Sequence, residues 1–179
     1  MKKGDCFLCP GEKCRTLYYL TEVNCGKCRA LSIVVNQNTV QALDWIREYD
    51  AIFPDDIIML PSTMYDTIKK VMQECMEDMH KILQDEALRI DFDIEVGALY
   101  TDGCSINRVT EMKDDEFGHI KWHYKLFRID NENISMNWSG SAPVDSYKSH
   151  RLPITEETLD KVIGRFKNLL STIAQYLGQ

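Results

Sequence analysis

Two cysteine pairs, Cys6-Phe-Leu-Cys9 and Cys25-Gly-Lys-Cys28, stand fifteen residues apart near the N-terminus. A Cys-x-x-Cys turn puts two thiolates on one edge of a tetrahedral metal, and a second pair completes four ligands. The spacing lies in the range of zinc sites. Gly26 gives the second turn backbone freedom, and Pro10-Gly11 closes the first. Four protein ligands leave no open position, so the expected ion is a structural zinc on Cys6, Cys9, Cys25 and Cys28. Cys14 or a histidine can take one of the four places. A redox dithiol and unligated thiols are the competing readings of the same residues. Cys75 and Cys104 read as ordinary buried or loop thiols, and an odd total of seven cysteines argues against a disulfide framework.

A second pattern lies at Gly118-His-Ile-Lys-Trp-His-Tyr-Lys-Leu-Phe127. Strand alternation assigns Ile120, Trp122, Tyr124 and Leu126 to one face and His119, Lys121, His123 and Lys125 to the other. The apolar set reads as core. The polar set stacks four cationic or potentially cationic groups in a row, and an anion lying across them would remove their mutual repulsion. Phosphate fits, with lysine as a point charge and histidine as donor or proton shuttle. A solvated strand face is the plain alternative. Ser105 and Asn107, shortly before the strand, can donate to such a phosphate, although turn chemistry explains them as well. His80, on a helix edge, and His150, in a polar loop, read as boundary or surface residues.

The elements that must hold these residues follow from periodicity. Leu31 to Val35 reads as a strand and Val40 to Ile46 as a short strand or helical turn. Ile57 to Leu60, stopped by Pro61, reads as a buried central strand. Ser62 or Thr63 caps a helix whose apolar stripe runs from Met64 to Leu83. Phe92 to Tyr100 reads as a strand, 101–117 as a loop, and His119 to Ile129 and Ile134 to Trp138 as strands. A last helix follows Pro153 and the Thr155 cap, with its stripe from Leu159 to Leu177. No internal repeat is evident. The expected fold is α+β: an antiparallel sheet, a long mid-chain helix and a C-terminal helix, preceded by a zinc-binding segment over residues 1–30, all in a single domain.

Composition narrows the function classes. The 179 residues carry a formal net charge of −7, which disfavours a general nucleic-acid binder while leaving room for a locally basic pocket. No apolar run follows the opening Met-Lys-Lys and no stretch is long enough to span a bilayer, so a cytoplasmic protein without a membrane segment is expected.

In this order and pattern the chain resembles the histidine triad superfamily, the HIT-like nucleotide hydrolases and transferases. The likeness covers about residues 6–128, with the HIT-like core at 31–138 and an added loop and helix at 139–179. It rests on His119-x-Lys121-x-His123, on Cys6-x-x-Cys9, and on a strand pair from Val34 to Asp44. Pro54-Asp-Asp-Ile-Ile-Met-Leu-Pro61 and the following helix complete it. The resemblance implies a nucleotide or other phosphorylated ligand. It implies catalytic roles for His119, Lys121 and His123, and ligand contacts from Lys125, Asn107, Ser105 and Asp44. Members use the middle histidine as the nucleophile on the α-phosphate. Lys121 holds that place in the direct register, and a shift of two residues puts His123 there. The Gly-Gln that precedes the family's triad is replaced by Phe117-Gly118, and the preceding loop is acidic. Three functions follow as expectations: a nucleotide hydrolase or nucleotidyltransferase, a non-catalytic nucleotide-binding module, or a protein-interaction module. A homodimer is compatible with each.

Overall fold

A computed structural model describes residues 1–11, 13–50, 55–114, 120–130, 133–144, 148 and 150–178; of these, the side chains of 44–47, 120–126 and 137–138 lie outside the description. The protein is α+β, with a large antiparallel sheet and two long helices. Its contacts divide it into two compact units. Unit 1 comprises 1–74, 131–133 and 168–179, and unit 2 comprises 75–130 and 134–167.

Unit 1 opens with a meander, β1 Cys6–Pro10, β2 Arg15–Asn24, β3 Lys27–Asn36 and β4 Thr39–Asp50. The next strand, β5 Ile58–Leu60, returns to lie antiparallel beside β1. The strand order is β4-β3-β2-β1-β5. Tight turns make the meander possible. The β2–β3 hairpin has Asn24 paired with Lys27, leaving Cys25-Gly26 as a two-residue loop, and Gly26 takes φ 76°. Glycine reaches that left-handed conformation without steric cost. Helix α1, Met64–Glu86, then begins after Pro61.

Unit 2 repeats the order. A meander of β6 Leu99–Thr101, β7 Ser105–Asp114, β8 Ile120–Asp130 and β9 Asn133–Pro143 is followed by β10 Leu152–Ile154, which returns antiparallel beside β6. The strand order is β9-β8-β7-β6-β10, and helix α2, Glu156–Tyr176, follows. The correspondence extends to detail. β2 and β7 each have ten residues and each carries a register shift against its successor, at Leu20/Glu22 and at Val109/Glu111. Leu20-Thr-Glu-Val matches Val109-Thr-Glu-Met at that irregularity, and Leu60-Pro-Ser-Thr matches Leu152-Pro-Ile-Thr before the helices. The chain therefore contains an architectural repeat that its sequence does not announce, because only these short anchors keep residue likeness.

Each helix buries one stripe. On α1 it is Tyr65, Ile68, Met72, Met76, Met79 and Leu83; on α2 it is Thr158, Val162, Phe166, Leu169, Ile173 and Leu177. Steps of three and four residues keep both stripes on one side of the helix. Thr155 caps α2 through Oγ1, which accepts from the Thr158 backbone N–H at 3.2 Å. The opposite face of the unit 1 strands carries a second cluster of Phe7, Leu20, Cys28 and Ala30, with Phe7 stacked on Tyr18 at 5.3 Å.

Several sequence expectations change. Residues 1–30 form β1, β2 and the start of β3, so a boundary at residue 30 cuts through β3. β5 pairs with β1 alone among the described strands, with Ile58 46% and Met59 54% exposed, so it is an edge and not a central strand. The region 101–117, expected as a loop, contains β7, while of the expected strand from Phe92 only Leu99 onward is extended. Among the described residues no helix is long and apolar enough to cross a membrane.

Candidate functional site

The basic row lies on β8, an unbroken strand from Ile120 to Asp130. His119 falls outside the described residues, and for Lys121, His123 and Lys125 the backbone alone is described. Their register is defined: Lys121 pairs with Lys113, His123 with Glu111 and Lys125 with Arg108. Two of these three cross-strand pairs bring like charges opposite each other, which destabilises an antiparallel sheet. On the β7 side the charges are partly met. Glu111 accepts from Lys113 at 2.8 Å. Arg108 grips Glu156, in the first turn of α2, with both guanidinium nitrogens at 2.5 and 2.7 Å. That hydrogen-bonded pair holds the Glu156 carboxyl below its usual range and raises Arg108. By register, Lys113, Arg108, Lys121 and Lys125 share this strand pair with Glu111 and Asp114, and Glu156 meets Arg108.

The other face of this region is apolar. Val109 and Tyr100 are buried beneath Phe92, Ile94 and Ala98 from the segment before β6, with Met112 and Ala142 alongside. Tyr100 donates its hydroxyl to the Asp93 carbonyl at 3.1 Å and accepts from the Glu95 N–H at 3.0 Å, fixing that segment over the strands.

Ser105 and Asn107 open β7, and both are buried. Ser105 belongs to a polar knot at the β6–β7 turn. Asp102 Oδ1 accepts from the backbone N–H of Cys104 at 2.9 Å, from that of Ser105 at 2.7 Å, and from Ser105 Oγ at 2.9 Å. Arg151 reaches Asp102 Oδ2 at 3.0 Å and donates to Ser105 Oγ at 3.0 Å. His80, on α1, meets the Gly103 carbonyl through Nδ1 at 2.7 Å. So Ser105 is committed to the turn rather than offered to a ligand, and His80 is a latch between helix and hairpin rather than a bare helix-edge residue. The Asp102-Gly103 pair, with Gly103 at φ 84°, is the hairpin signal that would have revealed β6 and β7 from sequence. The side chain of Asp44, on β4, lies outside the description, and His150 is exposed.

The four candidate zinc ligands do not converge. β1 is extended and paired on both edges, Cys6 with Tyr19 and Leu60, Cys9 with Thr16. Residues three apart on a strand face opposite ways. Cys6 lies against the start of α1, where the Tyr65 backbone bonds to it, while Cys9 joins the cluster of Phe7 and Cys28 on the other face. Cys28 pairs with Val23, which places it two strands and several residues from Cys6, about 15 Å away by strand dimensions. Zinc needs its sulfurs about 2.3 Å from one point. Burial raises the thiols of Cys9 and Cys28 above their ordinary range and pushes Cys6 to about 11. Cys25 is exposed at the hairpin tip. The donor set does not fit a four-cysteine site, and among the described residues no group of three or more His, Cys, Asp or Glu is placed to hold a metal. Strand pairing satisfies the backbone around Cys6, Cys9 and Cys28.

Compared with known proteins, the chain matches no protein-family model, no curated protein and no solved structure.

Proposed function

We propose that the paired strands β7 and β8 form an anion-binding strip for a phosphorylated small molecule, with a nucleotide as the first candidate. The observation that carries this is the register. Lys121 opposite Lys113 and Lys125 opposite Arg108, on either side of His123 opposite Glu111, gather like charges where a sheet ordinarily avoids them. A bound phosphate converts that repulsion into attraction, and it adds charge-assisted hydrogen bonds. The likeness to the histidine triad pattern narrows the anion to a nucleotide, with His123 placed between two lysines as donor to a phosphoryl oxygen. Turnover would require His123 to act as nucleophile, since Lys121 replaces the family's middle histidine.

Thermal unfolding with ADP, ATP and inorganic pyrophosphate tests the reading. At a hundredfold excess over the dissociation constant the expected stabilisation is about 2.7 kcal/mol, falling with salt and lost in Lys121→Ala/Lys125→Ala. No shift with any of the three, or a shift untouched by that variant, overturns it. Release of nucleoside monophosphate by the wild type but not by His123→Ala would make the strip catalytic; binding without release would make it a binding module.

A further inference from the structure

Unit 1 contains a cavity of about 280 Å³ away from the β7–β8 strip. It opens where the β1–β2 loop and the β3–β4 turn meet the last turns of α2. Its floor is apolar: Leu170, Ile173, Ala174 and Leu177 at one helical face, with Val35 beside them. Its rim carries Lys13 and Arg15, and the amides of Asn36 and Gln37. No carboxylate is among the described residues that line it. Lys13 and Arg15 make no ion pair with any described residue, a state they share with Lys81, Arg89 and Lys167; what sets them apart is that they stand together over an apolar lining. Two cations without a carboxylate partner among the described residues, over an apolar floor in a chain of net −7, suit a ligand that is anionic at one end and apolar along its length.

We infer that this cavity binds a small anionic amphiphile, a medium-chain alkyl carboxylate or alkyl phosphate. The length follows from the floor. Leu170 to Leu177 spans about 10 Å at 1.5 Å per residue, which matches an extended chain of roughly eight carbons. The volume stands just under the range of about 300–1,000 Å³ found for drug-sized ligands, so a single short chain fits and a two-chain lipid does not. The carbonyl end of α2 carries about half a negative charge; two full cations outweigh it. The loop is shaped for the purpose by Gly11, where a Cβ would run into the Cys14 carbonyl oxygen.

The test is titration of the ¹⁵N-labelled full chain with octanoate, octyl phosphate, octanol, octyltrimethylammonium and inorganic phosphate. Saturable shifts at residues 11–15 and 170–177 are expected with octanoate or octyl phosphate, and whichever binds more tightly identifies the head group. Octanol and octyltrimethylammonium should bind at least tenfold more weakly. Lys13→Glu/Arg15→Glu should weaken the anionic amphiphile tenfold or more. Ala174→Leu, which fills the floor while leaving the fold intact by melting temperature, should abolish binding. No saturable shift, equal binding of the cationic amphiphile, equal binding of chainless phosphate, or full binding by Ala174→Leu overturns the proposal. Lys121→Ala/Lys125→Ala should leave octanoate binding unchanged, so failure here and failure of the nucleotide strip are separable.

Discussion

Unit 1 and unit 2 each set the hairpin between their first two strands against the second half of a helix. In unit 1, Gly11 and Cys14 line a cavity with Leu170, Ile173 and Leu177, together with Lys13 and Arg15, which make no ion pair with a described residue. In unit 2 the corresponding turn is closed. Asp102 collects three donors, Arg151 braces Asp102 and Ser105 together, and His80 ties Gly103 to α1. The same architectural position is thus a hollow in one half and a saturated polar knot in the other. The difference lies in a few side chains: Arg151 has a carboxylate to meet and acts as a strut, and Arg15 meets none among the described residues. That contrast makes definite demands on variants.

The largest effect is expected from Arg151→Ala. It strips a partly buried carboxylate of its cation and leaves Ser105, which is 5% exposed, short of a donor; a loss of about 2–4 kcal/mol is expected in denaturant unfolding. The counterpart Arg15→Ala in unit 1, a half-buried side chain with no ion pair to a described residue, should cost under about 1 kcal/mol. Equal costs would break the contrast. Next is Gly11→Ala, where the new Cβ meets backbone and the loop must shift at about 1–3 kcal/mol; Gly103→Ala, forced into φ 84°, should cost about 1–2 kcal/mol. His80→Ala removes one hydrogen bond to a carbonyl and should cost about 1 kcal/mol, with amide exchange at residues 102–105 accelerating and that at 11–15 unchanged.

A smaller effect is read by pH. Burial in unit 2, reinforced by Asp78 and opposed by Arg165, pushes the Cys75 thiol up to about 11 from 9.0. The unfolded chain therefore releases this proton first, so the associated stability is complete below pH 9 and is lost as pH rises toward 11. The fall should be on the order of 1–2 kcal/mol, and Cys75→Ala should flatten it; an unchanged slope in that variant would sink the assignment. Metal content checks the strand reading of the cysteines. Freshly purified, reduced protein should hold less than about half an equivalent of zinc, and a full equivalent lost in Cys25→Ser would mean that β1 does not run as described.

The helices and most strands were legible in the sequence because each has a buried stripe of the right period. Ile68, Met72, Met79 and Leu83 were visible as one face of α1, and Phe127 and Ile129 lie on a strand that alternation alone identified. What escaped was the product of long-range pairing. Nothing local in Cys6 to Pro10 says that β5 will flank it on one side and β2 on the other, and without those partners a cysteine pair reads as a metal turn. Ser105 and Asp102 looked like loop residues because their partner, Arg151, is 46 residues from Ser105 in the chain. Of the candidate ligand site, the charges of β8 were legible, but their like-charged opposites on β7 became visible only with the register.

The two short strands that end each unit's sheet have one more consequence. β5 and β10 have three residues each. β10 contains Pro153 and β5 runs directly into Pro61. A bare sheet edge is a template for fibril growth and for sheet-to-sheet dimers. Three residues offer too few hydrogen bonds to seed either, and proline, which has no N–H, removes a donor at the rim. The exposed Ile58 and Met59 are therefore sticky without being extendable. If two copies of this chain associate, they should do so through side-chain surfaces, and not by continuing one sheet into another.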